Sequence, residues 1–69
     1  MSQNNEELKR KIKIYKLTNE QISEMTGYAI DTVKAWRVKP GAKKYRPMPD
    51  RAMKLLIFEI KDRNMKQTS

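Results

Sequence analysis

The chain has 69 residues, enough for one small domain with a thin hydrophobic core. It has no cysteine and no histidine, which excludes disulfides, thiolate or imidazole metal sites and the commonest general base. Sixteen basic and eight acidic side chains give a net charge of +8, which favours a polyanionic partner such as DNA, RNA or an acidic membrane surface. The carboxylates are scattered and no glycine-rich phosphate loop is present, so we expect a binding protein without cofactor or metal, not an enzyme.

The sequence also predicts the cellular location of the protein. Its first five residues are polar and lead into charged residues, unlike a signal peptide. The longest apolar run, Leu55 to Phe58, is far shorter than the roughly 20 residues that span a bilayer. We therefore expect a cytoplasmic protein with no membrane partner and no evident small-molecule ligand.

The first helix is predicted from Leu8, Ile12 and Tyr15, which recur at helical spacing and form one apolar face. The positions between them are mostly lysine and arginine, which are expected to face water. Asn4 or Asn5 precedes this pattern and has the side chain of an N-cap.

Two shorter helices follow. Thr18 and Gln21 have the spacing of a capping box at the start of the second helix. Gly27 is expected to end that helix, because glycine adopts the left-handed conformation without strain. Val33 and Trp36 then form the inner face of a third helix, and a loop whose last part is held extended by two prolines comes after it.

The fourth helix is apolar around more of its circumference than one core-facing stripe requires. We expect a second copy of the chain to cover the extra face, whereas the alternative is a helix buried completely within a monomer. The fold predicted is all-α, a single domain over residues 1–69 with disordered ends at 1–4 and 65–69. The four predicted helices cover about residues 5–15, 18–26, 30–38 and 49–64. The predicted dimer contacts are Met53, Leu56, Ile57, Phe58 and Ile60.

The second and third helices meet the spacing requirements of a helix-turn-helix. Gly27 provides the turn, and Ser23, four residues earlier, is small enough for the helices to cross closely. Val33 and Trp36, six and nine residues after the glycine, anchor the second helix of the motif. An ordinary helical hairpin shares these features but does not predict the acid-free basic stretch over residues 32–46.

The outward face of the third helix is therefore the predicted base-reading surface. Lys34 can donate to guanine acceptors, Asp31 can accept from a cytosine amino group, and Ile30 can contact a thymine methyl. Two alternatives stay open: Asp31 caps the helix and favours its positive end, and Lys34 contacts only phosphate. The predicted base-reading residues are Ala29, Ile30, Asp31, Lys34 and Ala35.

Polar and basic side chains around this helix are predicted to bind backbone phosphates, which fix the register on DNA without reading its sequence. Lys43, Lys44 and Arg46, on the basic loop after the third helix, can bind the flanking DNA backbone or enter a minor groove. The alternative is a charged loop that contacts only solvent. The predicted phosphate-binding residues are Thr18, Gln21, Thr32, Arg37, Lys39, Lys43, Lys44, Tyr45 and Arg46.

Residues 12–60 resemble the anti-CRISPR-associated (Aca) repressors of phages and mobile elements. The likeness lies in the helix-turn-helix, the aromatic at Trp36, a basic loop of matching length, and the Tyr-Arg-Pro-Met-Pro segment at 45–49 before a leucine-rich helix. It implies a homodimer that binds inverted repeats in the promoter of an anti-CRISPR operon and represses it, including its own gene. Lys34 falls where the family has a basic residue on the recognition helix, but the operator sequence does not carry over. The positions that differ from a related member, which has arginines there, are Glu20, Gln21 and Asp31.

Two other function classes remain as alternatives to a sequence-specific regulator of double-stranded DNA. A winged, excisionase-like architectural DNA-binding protein would form a two-stranded hairpin between Val38 and Met48. A protein-interaction module of the antitoxin or anti-repressor type would use the basic surface against an acidic partner. RNA is less favoured as a partner, because the sequence has no aromatic stacking platform.

Overall fold

The computed structural model describes residues 3–66, which form four α-helices and no β-strand. The predicted all-α architecture is confirmed, and the helix ends lie within two residues of the predicted ones. No helix in the described part of the chain is long and apolar enough to cross a membrane. The helices are α1 (Gln3–Tyr15), α2 (Asn19–Thr26), α3 (Ile30–Arg37) and α4 (Asp50–Asp62).

The helices enclose one hydrophobic core, in which α2 packs against both α3 and α4 while α1 contacts α3 and α4. Trp36 is the largest wholly buried side chain, and its ring meets Tyr28 edge-on with the centroids 5.2 Å apart, a favourable aromatic geometry. Of the apolar face predicted for α1, Leu8 is fully buried, and Ile12 and Tyr15 pack partly against the core. The core residues are Leu8, Leu17, Ile22, Met25, Val33, Trp36, Met48, Ala52, Met53, Leu56 and Ile60.

The predicted dimer surface on α4 is wrong in part, because the helix buries three of its five members in the chain's own core. Side chains at helical spacing on one face pack inward, so they are not available to a second chain. Outside that face, Phe58 is 61% exposed and Leu55 is 36% exposed, whereas Ile57 is half-buried. The three buried members are Met53, Leu56 and Ile60.

Both ends of the domain are folded further than predicted. α1 begins at Gln3, so Asn4 and Asn5 lie inside the helix and do not cap it from outside. Met65 packs partly against the core beyond the end of α4. The predicted disorder therefore does not hold at residues 3–4, which are helical, or at Met65, which contacts the core. The rest of that prediction concerns residues 1–2 and 67–69, which lie outside the described residues.

The junction between α1 and α2 is a left-handed turn made by a residue other than glycine. Lys16 has a φ of 53°, a conformation in which its Cβ is crowded. The N–H of Leu17 then reaches back to the carbonyl of Ile12 at 3.2 Å, which ends α1 and turns the chain toward α2.

Ion pairs form at the surface, both between helices and within α1. The guanidinium of Arg63 lies 2.9 Å from the carboxylates of Glu24 on α2 and Glu59 on α4, and these hydrogen bonds raise the pKa of Arg63. Within α1, the hydrogen bond from Lys11 lowers the pKa of Glu7, whose carboxylate is 3.1 Å from the Lys11 ammonium. These pairs lie at the surface, where water reaches at least part of every side chain, so each contributes little to stability.

Candidate nucleic-acid interface

The predicted turn between α2 and α3 is confirmed, and side-chain hydrogen bonds hold it. Gly27 has a φ of 78°, and its N–H donates to the carbonyl of Ser23 at 2.8 Å. A Cβ at Gly27 would meet no atom within 4 Å, so the left-handed conformation, not lack of space, requires glycine. The Ser23 hydroxyl donates to the Tyr28 carbonyl at 2.6 Å, and the Thr26 hydroxyl accepts from the Tyr28 N–H at 3.3 Å. These bonds fix the orientation of α3 relative to α2.

The predicted capping box at the start of α2 is confirmed. The N–H of Gln21 donates to Thr18 Oγ1 at 3.1 Å, and the N–H of Thr18 donates to Gln21 Oε1 at 2.9 Å. The donors left for a phosphate are therefore the Thr18 hydroxyl and the Gln21 Nε2 group. Arg37 Nη1 donates to Asn19 Oδ1 at 2.6 Å, which brings the end of α3 next to the start of α2. Three predicted phosphate-binding residues thus lie at one corner of the domain.

The predicted base-reading residues lie on the outward face of α3 and on the residue before it. Val33 and Trp36 bury the opposite face in the core, so the outward face is free to meet another molecule. Ile30, a large apolar side chain on this face, is 37% exposed. The exposed members are Ala29, Ile30, Asp31 and Lys34, while Ala35 is half-buried.

Asp31 does not cap α3. The N-cap residue is Ala29, which makes no side-chain cap hydrogen bond, and Asp31 lies within the first turn. From that position its negative charge still interacts favourably with the positive end of the helix dipole. The exposed side chain is also free to accept a hydrogen bond from a ligand.

A groove of about 500 Å³ separates α3 from the loop that follows it. Side chains that the sequence predicted separately as base-reading and phosphate-binding line its two walls. Three cations and one carboxylate surround it, so the groove carries a net positive charge. The lining residues are Asp31, Thr32, Lys34, Ala35, Val38, Lys44 and Arg46.

The loop wall of this groove is attached to α1 by Asn5, a role that was not predicted. The side chain is buried, with 4% exposure. Its Nδ2 donates to the carbonyls of Trp36 at 2.8 Å and Arg46 at 3.0 Å, and its Oδ1 accepts from the N–H of Met48 at 2.7 Å. The sequence held one signal of this role: Asn5 continues the apolar stripe of α1, three residues before Leu8.

Further contacts hold the loop. The N–H of Arg46 donates to the carbonyl of Ala35 on α3 at 3.1 Å, and its Nη1 donates to the carbonyls of Tyr45 at 2.9 Å and Lys43 at 3.3 Å. The Arg46 guanidinium is thus folded partly onto its own loop. Tyr45 is half-buried, and the exposed basic side chains of the loop are Lys39, Lys43, Lys44 and Arg46.

Between α3 and α4 the described chain forms turns and a segment without regular secondary structure, not the two-stranded hairpin that a winged module requires. The excisionase-like alternative therefore lacks its defining element. No protein-family model matches the chain, and no curated protein or solved structure matches it either.

Proposed function

We propose that this chain is a sequence-specific double-stranded DNA-binding protein that inserts α3 into the major groove. The observation that carries the proposal is the positively charged groove beside α3. Lys34 from the helix and Lys44 from the loop line it together, and Asp31 contributes its one carboxylate. A helix presented with a basic flank of this kind matches the shape and charge of a duplex groove.

The outward side chains of α3 offer three different chemistries for reading base edges. Lys34 donates to the N7 and O6 acceptors of guanine, and Asp31 accepts from the N4 amino group of cytosine. Ile30, exposed and apolar, contacts the methyl group of thymine. Ala29 and Ala35 are small, so they allow the helix backbone to approach the bases closely.

Phosphate contacts on both sides of α3 would hold the helix in register. On one side, Arg37 lies next to the start of α2, where Thr18 and Gln21 are exposed. On the other side, the loop supplies Lys43 and Lys44. Binding through these groups releases counterions, so the affinity should fall steeply as salt rises.

The biological role we propose is transcriptional repression at an inverted repeat in the promoter of an anti-CRISPR or phage operon that includes the chain's own gene. The support for this role is the resemblance of residues 12–60 to the Aca repressors. Two parts of that resemblance, α3 and the segment at 45–49, are also the parts joined by Asn5.

The repressor we propose is a homodimer whose contact is the exposed face of α4. Phe58 and Leu55 are the most exposed large apolar side chains of this helix, and burying them is favourable. A two-fold contact would set two α3 helices about one helical turn apart. Phe58→Glu should therefore give a monomer that binds a half-site normally and an inverted repeat weakly. An unchanged sedimentation coefficient would contradict this contact.

The experiment that tests the DNA-binding function is selection from random double-stranded DNA, followed by binding measurements at several salt concentrations. We expect an inverted repeat and a log–log salt slope of about −0.9 for each phosphate neutralised. A pool with no enriched sequence would contradict specific recognition. Binding to an acidic protein that nonspecific DNA does not affect would favour the protein-interaction alternative instead.

Two lysines form a matched pair for separating base reading from phosphate binding. Lys34→Ala should weaken binding to the selected site by about 1–3 kcal/mol more than binding to unrelated DNA. Lys43→Ala, on the loop, should weaken both equally and reduce the salt slope by about 1. Equal losses on both DNAs for Lys34→Ala would reassign Lys34 to phosphate.

A further inference from the structure

We propose that Asn5 is a positioning residue for DNA binding. It fixes the basic loop against α3, so that Lys44 binds a backbone phosphate at a set distance from the bases that Lys34 reads. This inference rests on the proposed function, and it adds a residue of α1, far from the recognition helix in sequence, to the determinants of binding.

One small side chain, that of Asn5, makes three hydrogen bonds to distant parts of the chain. The Asn5 carboxamide joins the end of α3, through the Trp36 carbonyl, to both ends of a short segment, through the Arg46 carbonyl and the Met48 N–H. The Trp36 carbonyl belongs to the last turn of its helix, where carbonyls lack a partner within the helix. Asn5 therefore supplies a hydrogen bond that α3 cannot make for itself.

Other hydrogen bonds hold the same segment in place beside those of Asn5. Asn4 Nδ2 donates to the carbonyl of Met48 at 3.0 Å and to Asp50 Oδ1 at 2.7 Å, so the segment is also held at the start of α4. The Arg46 N–H bond to the Ala35 carbonyl joins the loop directly to α3. Along the chain, Lys44 lies between α3 and this anchored segment. Its position therefore depends on the hydrogen bonds that the segment makes with α1.

Asn5 is a polar residue that is buried on the apolar stripe of α1. A leucine there would extend the apolar stripe of α1, whereas an amide carries a desolvation cost that its hydrogen bonds must offset. No buried side-chain nitrogen or oxygen in the described residues lacks a hydrogen-bond partner. A fully satisfied buried network contributes a defined geometry more than it contributes stability. The geometry it defines here is the width of the groove beside α3.

The test is a double-mutant cycle on DNA affinity, measured by fluorescence anisotropy with a labelled duplex. Lys44→Ala should lower the affinity of the wild-type chain severalfold but have little effect when Asn5→Ala is already present, giving a coupling of about threefold or more. Lys34→Ala combined with Asn5→Ala should be close to additive, because core side chains keep α3 in place. A general loss of folding would not produce this difference between the two lysines.

Two further variants distinguish a positioning role of Asn5 from a general folding defect. Asn4→Ala removes only the outer bonds to the segment and should show the same coupling to Lys44 at smaller size. Glu24→Ala, the matched control, breaks the ion pair with Arg63 away from the loop and should show no coupling to Lys44. Circular dichroism gives the temperature at which all variants are folded and at which affinities are compared.

Additive effects of Lys44→Ala with both asparagine variants would overturn the positioning role. A wild-type chain that binds no duplex would instead overturn the proposed function. The amide NMR signals of the loop then decide the positioning role without DNA. Shifts throughout residues 39–46 in Asn5→Ala, absent in Glu24→Ala, support it, and unchanged signals overturn it.

Discussion

The α2–turn–α3 unit and the basic loop after it face the same groove but are held by different kinds of contact. In the unit, hydrogen bonds join residues close in sequence, such as Ser23 to Tyr28 and Thr18 to Gln21. In the loop, they reach back to α1, as from Met48 to Asn5, which lies 43 positions earlier in the chain. The position of α3 is therefore fixed by local structure, whereas that of the loop beside it depends on the tertiary fold.

The largest effect is expected from Met48, which anchors the loop segment in the core with 2% exposure. Met48→Ala should lower the free energy of unfolding by about 2–5 kcal/mol, because it removes buried methylene and sulfur contacts and leaves a cavity. Urea denaturation measures this loss. Met65→Ala, which alters a half-buried side chain outside the helices, should cost clearly less. Equal costs would mean that the loop is not anchored through the core.

The local unit should respond less strongly to the loss of its cap. Thr18→Ala removes the acceptor for the Gln21 N–H and should cost about 0.5–2 kcal/mol in thermal or urea denaturation. Gln21→Ala removes only the reciprocal hydrogen bond, from the Thr18 N–H to Gln21 Oε1, and serves as the comparison. We expect it to cost less than Thr18→Ala, and the reverse order would contradict the described cap.

The smallest effect is expected at the junction through which α1 connects to the local unit, and it should be stabilising. Lys16 has a left-handed φ of 53°, so Lys16→Gly should raise the free energy of unfolding by about 0.5–1 kcal/mol. Lys13→Gly, the same change inside α1, should lower it by about 1 kcal/mol. The opposite signs are the outcome to measure, and destabilisation by both changes would contradict the turn.

The same contrast explains how much could be predicted from the sequence. Helical periodicity, the capping box and Gly27 are local patterns, and they predicted the four helices and the turn. The exposure of Lys34, Asp31 and Ile30 followed from the burial of the opposite face of α3. These features required no knowledge of which distant segments meet.

The features that could not be predicted depend on contacts between segments that are distant in the chain. A short polar residue near a helix start is typical of an N-cap, so the position of Asn5 on the apolar stripe of α1 did not by itself distinguish a buried side chain from a cap. Met48 lies between two prolines and has the pattern of a loop, yet its side chain is in the core. The composition of α4 indicated a wide apolar surface but did not distinguish Leu56, which is buried, from Phe58, which is exposed.

The most direct test of the central claim, that α3 and the loop anchored by Asn5 form one DNA-binding surface, is an NMR titration of the wild-type chain with a duplex of about two helical turns. We expect the amide signals of Lys34 and its neighbours on α3 to shift together with those of Lys43 and Lys44. The exposed face of α4 around Leu55 and Phe58 should show no change due to DNA contact. Shifts concentrated on α4, or on α3 without the loop, would contradict the account.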